Sequence, residues 1–78
     1  MRYNKKEREI INKFGYEKIV EMVYKTLKEL CGTNRKYYTA TEISEILKRN
    51  GIEINPFNVG RILKKLPVEK NDNGWRVV

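Results

Sequence analysis

The chain contains no histidine and no glutamine, one serine (Ser44) and one cysteine (Cys31). A single thiol closes no internal disulfide, and the His or multi-Cys sets that hold zinc cannot be assembled from this sequence. Without the side chain that titrates near neutral pH, and with its one serine set amid helical residues, the chain offers no nucleophile and base in a catalytic pattern. An enzyme is not expected, nor is a metal or cofactor, and no small-molecule ligand is evident. No apolar run approaches the roughly 20 residues that cross a bilayer. Met1 is followed by Arg2, Lys5 and Lys6 without the apolar stretch of a signal peptide. The expectation is a cytoplasmic protein that makes no use of a membrane.

What is present is charge, mostly of one sign. Lysine and arginine number 17 against 10 acids, a formal net charge of +7 in 78 residues. That balance is the electrostatic footprint of a protein that binds a polyanion, although it also suits a merely soluble surface. Hydrophobic residues make up 40% of the chain, enough for one small core and too many for a disordered segment.

The periodicity gives helix, helix, short strand, helix, helix, hairpin. Asn4 and Glu7 have the spacing of a capping box that opens a helix to Phe14, with Ile10, Ile11 and Phe14 on one side. Gly15 ends it. From Tyr16 to Cys31, Tyr16, Ile19, Val20, Val23, Leu27 and Leu30 form one stripe, with Met22 off it. Lys36 to Thr39 reads as a brief strand. Thr39 and Glu42 form a second capping box, and Ile43, Ile46 and Leu47 mark the buried face of a helix ending at Asn50. Gly51 and Ile52 follow as a Schellman ending. Asn55-Pro56 opens a fourth helix, predicted to run to Leu66 before Pro67, with Val59, Ile62, Leu63 and Leu66 inward. Val68 to Val78 reads as a hairpin around Asn73-Gly74, a pair suited to a primed turn, with a loop of two or four residues. Val68, Trp75 and Val77 face inward, Glu69 and Arg76 outward.

The helix pair from Thr39 to Leu66, the Trp-containing hairpin, and the stretch Asn58-Val59-Gly60-Arg61-Ile62-Leu63-Lys64-Lys65-Leu66 resemble the winged helix-turn-helix superfamily, in particular small archaeal and phage members. The resemblance implies a mainly α fold with a small β-hairpin, in which residues 16–78 are a DNA-binding domain and residues 1–15 add an N-terminal helix. It also implies a transcriptional regulator that places the helix from Asn55 to Leu66 in the major groove of double-stranded DNA and uses residues 68–78 as the wing. On that helix, Phe57, Arg61 and Lys64 lie opposite the apolar stripe, with Gly60 and Lys65 beside them and Asn58 at one edge. Arg61 suits guanine, Asn58 adenine, and Lys64 and Lys65 suit phosphates. Gly60 would let the backbone come close to DNA. Lys70 and Arg76 are the wing's cations.

Several residues have two readings. Phe57 touches either DNA or the preceding loop, and Trp75, Tyr37 and Tyr38 serve the core before base stacking. Cys31 is a small core hydrophobe. Ile10, Ile11, Phe14 and Met22 need a cover, supplied either by the same subunit or by a second copy in a homodimer. As alternatives to DNA binding, the fold could serve as a protein-interaction module, and the charge would suit an RNA-binding or ribosome-associated protein.

Overall fold

Three of the four helices begin where a side chain, that of Asn4, Thr39 or Asn55, accepts a backbone N–H, and the other follows Gly15. The structure, a computed structural model, describes residues 3–32 and 37–78. Among these residues the chain forms helices α1 (Lys5–Phe14), α2 (Tyr16–Cys31), α3 (Ala40–Arg49) and α4 (Pro56–Leu63), then strands β1 (Val68–Asn71) and β2 (Gly74–Val77). The protein is mainly helical with a small two-stranded antiparallel hairpin, a layout compatible with a winged helix. No helix among the described residues is long and apolar enough to cross a membrane.

Both predicted capping boxes form. Asn4 Oδ1 accepts from the Glu7 N–H and Glu7 Oε1 from the Asn4 N–H, each at 2.8 Å. Thr39 and Glu42 exchange the same pair of bonds at the start of α3. The end of α3 is the predicted Schellman motif: the Gly51 N–H donates to the Lys48 carbonyl and the Ile52 N–H to the Leu47 carbonyl, with Gly51 at φ 86°. Ile52 and Leu47 are both buried, so the reversal into α4 is closed by an apolar contact.

One core joins the elements. It takes Ile19, Val23 and Leu27 from α2, Ile43 and Leu47 from α3, Ile52 and Ile54 from the turn, and Val59, Ile62 and Leu63 from α4; Tyr38 and Trp75 close it. Tyr38 and Trp75 also exchange backbone hydrogen bonds of 2.9 and 2.8 Å, an isolated bridge that ties the hairpin to the segment before α3. The brief strand read from the sequence is reduced to this bridge at Tyr38, and Lys36 lies outside the described residues.

Two expectations need correction. First, α4 ends at Leu63 and not at Leu66. The residue before a proline avoids the helical region. The chain therefore tightens ahead of Pro67, with Lys65 and Leu66 donating three residues back to Ile62 and Leu63.

Second, the hairpin turn is not a primed turn on Asn73-Gly74. Gly74 pairs with Asn71 across a two-residue loop, and among the described residues none other than glycine has positive φ. Gly74 is required for a different reason. At φ 130° a Cβ there would lie 2.5 Å from the Tyr38 carbonyl carbon and oxygen, so the bridge needs a residue without one.

The apolar side of α1 packs on its own chain. Ile10, Ile11 and Met22 are half-buried against the core, and Phe14 is exposed, at 39%.

Candidate nucleic-acid interface

Packing α4 on its apolar side fixes which side chains face outward. Phe57, Gly60, Arg61 and Lys64 follow the i, i+3, i+4, i+7 line of a single helical stripe that continues into the tightened last turn. Phe57 is 63% exposed, so it does not fold over the preceding loop. Lys64 is exposed, while Arg61 and Gly60 are half-buried. The residues from Asn55 to Leu66 include no acid. The ion pairs among the described residues, Lys6 with Glu53 and Arg76 with Glu69, leave Arg61 and Lys64 unpaired. Nothing lies within 4 Å of a Cβ built on Gly60, and its φ is not positive. No contact inside the molecule calls for a glycine there.

Asn58 does not belong to this surface. It is fully buried, and its amide donates to both oxygens of Glu7, at 3.0 and 3.1 Å, so it cannot reach adenine. Glu7 is itself buried, at 1% exposure, and also accepts the Asn55 N–H at 2.7 Å. The carboxylate thus sits at the start of both α1 and α4. Among the described residues no cation contacts it directly; backbone N–H groups and the positive ends of two helices compensate its charge. The result is a bond between α1 and the first turn of α4 that fixes how far the outward stripe is turned. The orientation of the Asn58 amide follows from chemistry, because its oxygen would repel the carboxylate. That oxygen, Oδ1, is buried without a partner.

Lys65 lies beside the stripe with its Nζ donating to Tyr16 Oη at 3.1 Å, 5.3 Å from the centre of the Tyr16 ring. Tyr16, read from the sequence as a core residue, is only half-buried. The Tyr3 phenol bonds to that of Tyr16, and burial followed by Tyr16 pushes its pKa up, against a smaller opposing pull from Arg61.

The hairpin cations are placed differently. Lys70 Nζ sits 5.4 Å from the centre of the Trp75 ring. Arg76 is bonded to Glu69, which raises its pKa, and stacks 5.5 Å from the centre of the Tyr37 ring. Trp75 and Tyr38 are core residues and Cys31 is half-buried against the core, as their sequence context predicts for an economical small domain.

An open groove of about 720 Å³ runs along α2 to the end of α3, lined among others by Lys18, Met22, Lys25, Leu47 and Asn50. It takes no residue from α4 or the hairpin. The charged stripe is the outward side of a helix. No group of three or more metal-ligating His, Cys, Asp or Glu side chains occurs among the described residues.

Sequence reasoning found the stripe and missed the Glu7–Asn58 bond and the Tyr3–Tyr16–Lys65 cluster. Each joins residues about 50 positions apart, and only the capping role of Glu7 leaves a local signal. No protein-family model, curated protein or solved structure matches the chain.

Proposed function

We propose that the protein is a winged helix-turn-helix that binds double-stranded DNA with α4 in the major groove and acts as a transcriptional regulator. The observation that carries this reading is the outward stripe of α4, where Phe57, Arg61 and Lys64 stand unpaired on an acid-free helix whose opposite face is locked into the core. A convex, cationic helix fits the roughly 12 Å width of the major groove. Arg61 has the fork to take the O6 and N7 edge of guanine, Phe57 can meet a thymine methyl, and Lys64 neutralises phosphate. Gly60, unexplained within the protein, then allows close approach to the sugar-phosphate backbone. The connection of α3 to α4 and the Tyr38 bridge to β2 support the winged-helix reading, with the hairpin in the place of the wing.

Selection of bound sequences from a random duplex pool tests the proposal. Enrichment of a defined site supports it, and an inverted repeat would add that two copies bind together. No retention of duplex at low salt overturns it. The exposure of Phe57 favours a second reading, a protein-docking surface; binding through it would respond little to salt, whereas DNA binding weakens steeply.

A further inference from the structure

We infer that Tyr3, Tyr16 and Lys65, beside Arg61, form a seat for a backbone phosphodiester of the same DNA, so that the N-terminal helix takes part in binding. The inference rests on the DNA reading above and goes beyond it in assigning contacts to α1 and α2.

The first ground is preorganisation. A lysine normally loses considerable rotamer freedom when it is fixed on a phosphate. Here the Lys65 ammonium is already held by the Tyr16 hydroxyl and drawn to its ring, at 3.1 and 5.3 Å. The second ground is a count of protons. Lys65 brings only donors, one of them spent on Tyr16, and the two phenols share one hydrogen bond, so one phenolic O–H is left over whichever of them donates. The donors left over call for a ligand rich in acceptor oxygens. The third ground is the absence of an internal competitor. The acid whose charge acts on Tyr3 is Glu7, and its oxygens already accept from the backbone of Asn4 and Asn55 and from Asn58. Finally, the cluster is open to a large ligand: Lys65 is exposed, and Tyr3, Tyr16 and Arg61 are only half-buried. Arg61 belongs to the outward stripe as well, so a strand lying along α4 would pass from Arg61 to this seat without a break.

The test uses the full chain and its variants Tyr3→Phe, Tyr16→Phe, Lys65→Ala and the double variant Lys65→Ala/Tyr16→Phe. Affinity for a selected duplex and for a random-sequence duplex is measured across a salt series, with thermal melts to verify folding. Phosphate contacts carry no sequence information, so each change should weaken both duplexes alike. Lys65→Ala should flatten the salt slope by about one. Each Tyr→Phe change should leave the slope unchanged and weaken binding about fivefold, the scale of one hydrogen bond. Since the phenol and the ammonium act as a unit, Tyr16→Phe should cost less than about twofold when added to Lys65→Ala. Tyrosine variants that bind as the parent does, or losses that multiply in full, overturn the seat while leaving the DNA reading in place. A parent that fails to bind any duplex at low salt overturns both.

Discussion

The two cations of the outward stripe, Arg61 and Lys64, match those of the hairpin, Lys70 and Arg76, in number and kind, yet the fold uses them differently. Arg61 and Lys64 stand on a helix with no acid and no ion-pair partner, whereas Lys70 lies over Trp75 and Arg76 is bonded to Glu69 and stacked on Tyr37. A cation already neutralised by a carboxylate, as Arg76 is by Glu69, has less to gain from a phosphate, because that ion pair must be exchanged for the new one. The comparison teaches that a basic residue on the hairpin is not thereby free to meet a polyanion. Here the hairpin serves mainly as structure, with Trp75 and Gly74 closing the core against Tyr38, and α4 carries the surface available to a polyanion.

The largest expected effects come from breaking the structural half of that contrast. Trp75→Ala should cost about 3–5 kcal/mol of folding stability, the range for removing a large core aromatic, measured by denaturant unfolding. Gly74→Ala should be nearly as severe, because its Cβ would strike the Tyr38 backbone at 2.5 Å and neither backbone can give way without losing the bridge. A stable Gly74→Ala protein with its near-ultraviolet dichroism intact would show that the hairpin does not close on Tyr38.

Next in size is the tie that turns α4 outward. Glu7→Ala strands the Asn55 N–H and the Asn58 amide, and a buried donor left without an acceptor costs about 1–3 kcal/mol. The loss should be read in unfolding curves, and faster hydrogen exchange at Asn55 would locate it. Glu7→Gln keeps one acceptor oxygen and should recover part of it. An Ala variant as stable as the parent would separate α1 from α4.

Smaller effects on stability accompany larger ones on binding. Arg61→Ala should relax base preference at one position by about 1–3 kcal/mol with the fold unchanged. Arg76→Ala should leave base preference as it was. The two variants compared on one set of substituted duplexes would sharpen the contrast, and equal losses would erase it. Gly60→Ala should gain the roughly 1 kcal/mol that alanine holds over glycine within a helix, since space is free around it. The same change should weaken DNA binding. Binding undiminished by the added methyl would remove close approach as the reason for glycine.

What the sequence made legible follows the range of each interaction. Caps act over three residues, and so Asn4 with Glu7, Thr39 with Glu42, and the Gly51 ending could all be read from spacing alone. The stripe of α4 follows from helical geometry once its buried face is known. Asn58 illustrates the limit: by angle it sits at the edge of the outward face, and nothing local shows that Glu7, 51 positions earlier, draws it inward. Gly74 was legible as a glycine needed near a turn, but the requirement comes from Tyr38 across the fold. The end of α4 was placed three residues too late because Pro67 acts on the residues ahead of it, which turn before the proline and not at it.

The most direct test of α4 as the DNA-binding element is an equilibrium titration of one short duplex at several salt concentrations between about 50 and 200 mM. The parent, the Arg61→Ala/Lys64→Ala double variant and the Lys70→Ala/Arg76→Ala double variant are compared. The expected result is a steep linear fall of log affinity with log salt for the parent, a slope shallower by about one with much weaker binding for the α4 variant, and a smaller change for the hairpin variant. An α4 variant that binds with the parent's affinity and slope, or a parent indifferent to salt, would contradict the assignment.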